Sequence, residues 1–149
     1  MKKSIIIIGL TILFGIGGYV LGKGVEGKPP EPVVTIDDKE ISMVRGSYCW
    51  SSPLKSICED TSAPPDLVSY VNQKPVAALP GTEVTIDFDE KPLKDSIELS
   101  RWLNEEESTS VPLNDHTFVL PKEKGSYIYS VSARWNQGDA VYAFIIEVK

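Results

Sequence analysis

The chain has 149 residues, 42% hydrophobic and 24% charged, with a net charge of -6, two cysteines and one histidine. That length allows one ordinary domain, and the composition is that of a globular chain and not a disordered one. The acidic balance excludes the Lys/Arg stripe that nucleic acid demands, and so few cysteines and histidines remove most metal sites and catalytic triads.

Lys2 and Lys3 precede an uncharged apolar run from Ser4 to Gly22. A bilayer core takes roughly 20 apolar residues as a helix, and basic residues stay on the cytoplasmic side. The expected organisation is a cytoplasmic start at residues 1–3, one transmembrane helix at 4–22 and an extracytoplasmic remainder. A cleaved signal peptide followed by secretion is the alternative. The run is longer than a usual signal core, and Val20-Leu21-Gly22 lacks the A-x-A pattern, so the anchor is the preferred reading. Gly18 and Gly22 have the G-x-x-x-G spacing that lets two membrane helices approach, which makes a weak homodimer the expectation from this face.

Residues 23–32 carry three prolines and two glycines without apolar periodicity and read as a linker. The domain is then 33–149. Without Lys2 and Lys3 the 15 basic residues fall to 13 against 21 acidic, a net of -8. Such a surface repels anionic headgroups and polyanions and can attract cationic ligands.

Period-two alternation runs through the domain. Strands are expected at 33–36, 40–44 and 47–50. Cys49 and Cys58 follow, and in an exported chain such a pair forms a disulfide. It closes a short loop worth roughly 2–3 kcal/mol and constrains Trp50–Ile57. Pro65–Val71 is a short helix with Asp66 near its start. Strands resume at 75–79 and, after the turn signal Pro80-Gly81, at Glu83–Asp89, where Val84, Ile86 and Phe88 share one face. In 95–103, Ile97, Leu99 and Arg101 oppose Glu98, Ser100 and Trp102. Glu105-Glu106-Glu107 is a solvated loop. A strand at 116–120 precedes Tyr127–Trp135, whose Tyr127, Tyr129, Val131, Ala133 and Trp135 lie together. Asn136–Asp139 is a hairpin loop, and Ala140–Val148 places Tyr142, Phe144, Ile146 and Val148 on one face. Val141, Ala143 and Ile145 oppose them, so this strand is expected to be covered in part on both sides. About seven to nine short strands with turns every 8–12 residues predict an all-β, immunoglobulin-like antiparallel sandwich, with a small barrel as runner-up.

The stretch Gly46-Ser-Tyr-Cys-Trp50, with Cys58-Glu-Asp60 and Ala63-Pro-Pro-Asp-Leu67, is similar to a motif of small uncharacterised exported or membrane-anchored proteins of Bacillus-type bacteria. The segment Gly125–Phe144 resembles the final hairpin of the same group. The resemblance implies an extracytoplasmic immunoglobulin-like β domain and transfers no catalytic residue. The lipid-attachment cysteine of some of those proteins is missing here, so their anchoring is not carried over.

No G-x-S-x-G, H-E-x-x-H, P-loop or dinucleotide fingerprint occurs. His116, in Asn114-Asp-His-Thr-Phe118, reads as a turn residue. The acids Asp37, Asp38 and Glu40, and Asp87, Asp89 and Glu90, match no calcium loop. No catalytic residue, metal or cofactor is expected. Trp50 either packs on the sulfur bridge or presents a rigid contact surface. If it is a contact, Tyr48, Trp50, Pro53 and Leu54 form the candidate partner-binding set. The function read from the sequence is a non-catalytic binding or accessory module at the bacterial envelope, contacting another protein or a wall component. A carboxylate-dependent, glycosidase-like hydrolase is the alternative.

Overall fold

The computed structural model describes residues 27–149. The expected span at 4–22 and its G-x-x-x-G face lie outside these residues. Among the described residues no helix is long and apolar enough to cross a membrane.

Two sheets share one core. The smaller contains β1 (Pro32–Ile36), β2 (Lys39–Ile41), β6 (Glu83–Phe88) and β9 (Thr117–Val119), in the order β2-β1-β6-β9. The larger contains β3 (Val44–Ser52), β4 (Lys55–Glu59), β7 (Glu98–Trp102), β8 (Ser108–Val111), β10 (Gly125–Trp135) and β11 (Gly138–Val148), in the order β4-β3-β11-β10-β7-β8. The short β5 (Val76–Ala78) pairs in parallel with the last residues of β11, while every other pairing is antiparallel. This is an all-β sandwich.

Alternation produces this layering. On β6, Val84, Ile86 and Phe88 are buried while Glu83, Thr85 and Asp87 are exposed. On β10 and β11, Tyr129, Val131, Trp135, Tyr142, Phe144 and Ile146 turn inward to meet them. Aromatic pairs join the sheets: Phe118 meets Tyr129 at 5.0 Å and Phe88 meets Trp135 at 5.2 Å between ring centroids.

Helix α1 (Pro64–Tyr70) lies on the outer face of the larger sheet, against β11, β10 and β3. Its prolines open it, where a missing N–H costs nothing. It buries Val68 and covers Val141 and Ala143, which explains the apolar residues on both faces of β11. Gly46 permits this close seating, because a Cβ there would stand 3.2 Å from the Val141 carbonyl and 3.7 Å from Leu67 Cδ2.

Two segments differ from the sequence reading. Residues 55–57, expected within the constrained loop Trp50–Ile57, belong to the strand Lys55–Glu59 paired with β3. Part of the expected linker is docked: Pro29 is buried, Pro32 opens β1, and the Tyr142 hydroxyl donates to the Pro30 carbonyl at 2.7 Å. Glu31 pairs with Arg45 at 3.0 Å.

The buried tyrosines give the fold an alkaline limit. Burial pushes the Tyr129 phenol up to about 12, against a small opposing effect of Arg101, and burial also raises Tyr142. A phenol with a higher pKa in the folded state holds its proton better there, so its stabilisation is complete below about pH 10 and drains as pH climbs toward 12. Chemical denaturation at rising pH is expected to show stability falling in that window; a flat profile to pH 12 contradicts the burial of these rings.

Candidate functional site

The structure separates the four candidate contact residues. Tyr48 and Trp50 are 7% and 6% exposed, because they occupy the inward positions of β3. The Tyr48 hydroxyl donates to Glu59 at 3.1 Å, and burial, then this carboxylate, raises its pKa. Trp50 meets Trp135 edge-on at 5.6 Å. Its neighbour Cys49 points outward, so the indole packs on a second tryptophan and not on the sulfur bridge. The placement of Tyr48 and Trp50 follows from β-strand geometry: residues two apart share a face, and this face is core. Pro53 and Leu54 sit at the exposed tip of the β3–β4 hairpin, with Leu54 89% exposed.

Cys49 and Cys58 form a disulfide, directly opposite each other across β3 and β4 with Cα atoms 4.1 Å apart. The bridge staples an edge hairpin whose outer strand buries little. Removing it with Cys49→Ser and Cys58→Ser is expected to cost roughly 2–3 kcal/mol in urea unfolding. A loss under about 0.5 kcal/mol would mean that pairing with β3 alone holds β4.

A groove that sequence reasoning missed lies on the outer face of the larger sheet. Trp102 is its half-buried centre, oriented by its Nε1–H donating to Ser130 Oγ at 2.9 Å. On one side α1 contributes Pro64 and Leu67 above a floor of Ser130, Ser132, Val141 and Ala143, around about 310 Å³. On the other, Ile128, Ser126 and the turn Leu103–Glu107 bound a more open space of about 580 Å³. That turn is tightly built: Asn104 Oδ1 accepts from the Glu106 and Glu107 amides, each at 2.8 Å, and the Leu103 amide donates to the Glu107 carbonyl. The result is a rigid acidic rim beside an aromatic and hydroxyl-lined trough. The sequence signal was Trp102 itself, on the outward register of β7.

A second cleft, of about 730 Å³, opens at the β8 edge. It is lined by Asp87, Glu98, Asp115 and His116 among others. Asp115 and His116 have φ of 45° and 66° and form the two-residue turn between Asn114 and Thr117. Asp37 and Asp38 do the same between β1 and β2, with φ of 47° and 62°. These acids and the histidine therefore occupy primed hairpin turns, which need positive φ at both positions. Glycine adopts that backbone without the Cβ clash, so His116→Gly is expected to gain about 0.5–1 kcal/mol. A loss of that size in thermal unfolding would show that the imidazole makes a stabilising contact. Among the described residues no group of three His, Cys, Asp or Glu is placed to hold a metal ion.

No protein-family model, curated protein or solved structure matches this chain.

Proposed function

We propose that this chain is a non-catalytic binding module of the bacterial envelope, anchored through residues 4–22 with its sandwich outside the cytoplasm. The groove at Trp102 takes a basic, extended segment of another envelope protein. The observation that carries this reading is the pairing of a half-buried indole with the rigid glutamate rim at Glu105–Glu107. Cation–π attraction and like-signed carboxylates both favour a Lys- or Arg-bearing ligand, and the net charge of the chain steers it inward. The solvent-exposed disulfide supports an oxidising compartment. Two features support an immunoglobulin-like build: the order β5-β11-β10-β7-β8 in one sheet, and the β6–β9 pair in the other. The likeness of the Cys49 segment to exported Bacillus-type proteins agrees with this reading. Secretion after cleavage near Gly22 would leave the same module free.

The test is a titration of the full chain in detergent with a lysine-rich peptide, followed by tryptophan emission. Trp102→Phe should remove the emission response, and Glu105→Gln with Glu106→Gln and Glu107→Gln should weaken binding about tenfold at low salt. Equal affinity in the neutralised variant, or no binding to the unaltered chain, overturns the assignment.

A carboxylate-dependent hydrolase, the alternative, would draw on the β8-edge cleft, which Asp87, Glu98 and Asp115 line. Turnover of a cell-wall glycan that disappears with Asp87→Asn and Asp115→Asn would favour it.

A further inference from the structure

The chain enters the fold along β3, and the direction of entry matters. Glu31 pairs with Arg45, Pro30 is held by Tyr142, and a Cβ at Gly27 would stand 3.9 Å from Ile57 Cδ1. Tyr142 is opposite Arg45, while Ile57 is opposite Trp50, further along β3 toward its turn. Traced backward from Glu31 to Gly27, the chain therefore heads for the Ser52–Lys55 turn. It leaves the fold at the end of the sandwich that bears Leu54.

Three turns meet at this end. The Ser51 amide donates to the Gln137 carbonyl at 2.8 Å, the Leu93 amide to Arg134 at 2.7 Å, and Trp135 Nε1–H to Glu90 at 2.9 Å. Leu54 and Leu93 are exposed there, beside Lys55, Lys91 and Lys94. Arg134 adds to these lysines, and Asp89, Glu90, Asp95, Asp115 and Asp139 leave this end close to neutral. The opposite end carries Asp37, Asp38, Glu40, Glu123 and the Glu105–Glu107 rim against Lys39, Lys122 and Lys124, and is the more acidic of the two. The domain as a whole repels an anionic surface, yet its charge is graded along the strands with the least acidic end at the chain entry.

Residues 23–26 separate the apolar run from Gly27 and reach roughly 17 Å when fully extended. The long strands β10 and β11 span roughly 36 Å. Such a tether keeps the end at which the chain enters nearer to the apolar run than the opposite end. We infer that the end bearing Leu54, Leu93, Lys55, Lys91 and Lys94 rests on the anionic headgroup layer of the anchoring membrane. Leu54 and Leu93 would enter the interface while the Trp102 groove opens near the far end, away from lipid. This inference rests on the anchored reading of residues 4–22.

The experiment places benzoylphenylalanine at Leu54 in the full chain, with the same residue at Leu103 as the far-end comparison. Each variant is reconstituted in vesicles of phosphatidylcholine and phosphatidylglycerol. Irradiation should give a phospholipid adduct at Leu54 and none at Leu103. Lys55→Glu with Lys91→Glu and Lys94→Glu should reduce the adduct by about an order of magnitude. Equal or absent adducts at the two sites, in chains that survive alkaline carbonate extraction, overturn this orientation and leave the anchor standing. Chains that carbonate strips from the vesicles overturn the anchor and the orientation with it.

Discussion

Gly138→Ala is expected to destabilise the domain by about 3 kcal/mol or more. Gly138 opens β11 directly opposite Trp50, with a φ of 157°. A Cβ there would lie 1.9 Å from the Cys49 carbonyl oxygen, 2.9 Å from its carbon and 3.1 Å from Trp50 Cα. All three atoms are backbone, so no rotamer change relieves the clash. Either the Asn136–Gln137 turn or β3 must shift, and either shift breaks the hydrogen bond from Ser51 to Gln137 and the register at Asp139 and Cys49. For a domain of this size, 1 kcal/mol lowers Tm by about 3–6 °C, so a drop of about 10–15 °C is expected by calorimetry. A drop under about 3 °C would mean that the β3–β11 approach is looser than described.

Trp135→Ala is expected to cost about 3–5 kcal/mol by urea denaturation. Trp135 meets Phe88 of the smaller sheet and Trp50 of the larger, both edge-on, and its Nε1–H satisfies the Glu90 carbonyl. Truncation leaves a cavity between the sheets and an unpaired carbonyl, two separate penalties. Trp135→Phe keeps most of the ring contacts and should lose roughly 1–2 kcal/mol, the part due to the indole's extra area and its hydrogen bond. A cost below about 1 kcal/mol for the alanine variant would show that this cluster does not tie the sheets together.

Strands with one wet and one dry face were legible in the sequence. β6 alternates because it buries one face, and the inward residues of β10 and β11 were readable in the same way although α1 also covers part of the outer face of β11. The edge strands β4 and β8 were not legible. Lys55–Glu59 and Ser108–Val111 bury almost nothing, so burial imposes no alternation on them, and their pairing comes from the neighbouring strand alone. The docked segment before β1 was hidden for a related reason. Its prolines read as a linker, and what holds it is Tyr142, more than a hundred positions away. The disulfide was legible from cysteine count and context, and the structure adds that it crosses two strands.

The candidate site was legible only in fragments. Tyr48 and Trp50 stand two apart on β3 and so share a face, and that face is core. Trp102 sits on the outward register of β7, but a lone outward tryptophan defines no site. The groove arises when α1 and the Asn104-capped turn close on it from elements far apart in sequence.

Export of this domain with its bridge formed is tested directly by thiol labelling of intact cells. A membrane-impermeant maleimide should label neither cysteine of the native protein. After a membrane-impermeant reductant it should label both Cys49 and Cys58 once the hairpin opens. Two thiols that react with a permeant maleimide before any reduction, and never with the impermeant one, would place the domain in the cytoplasm and contradict the account.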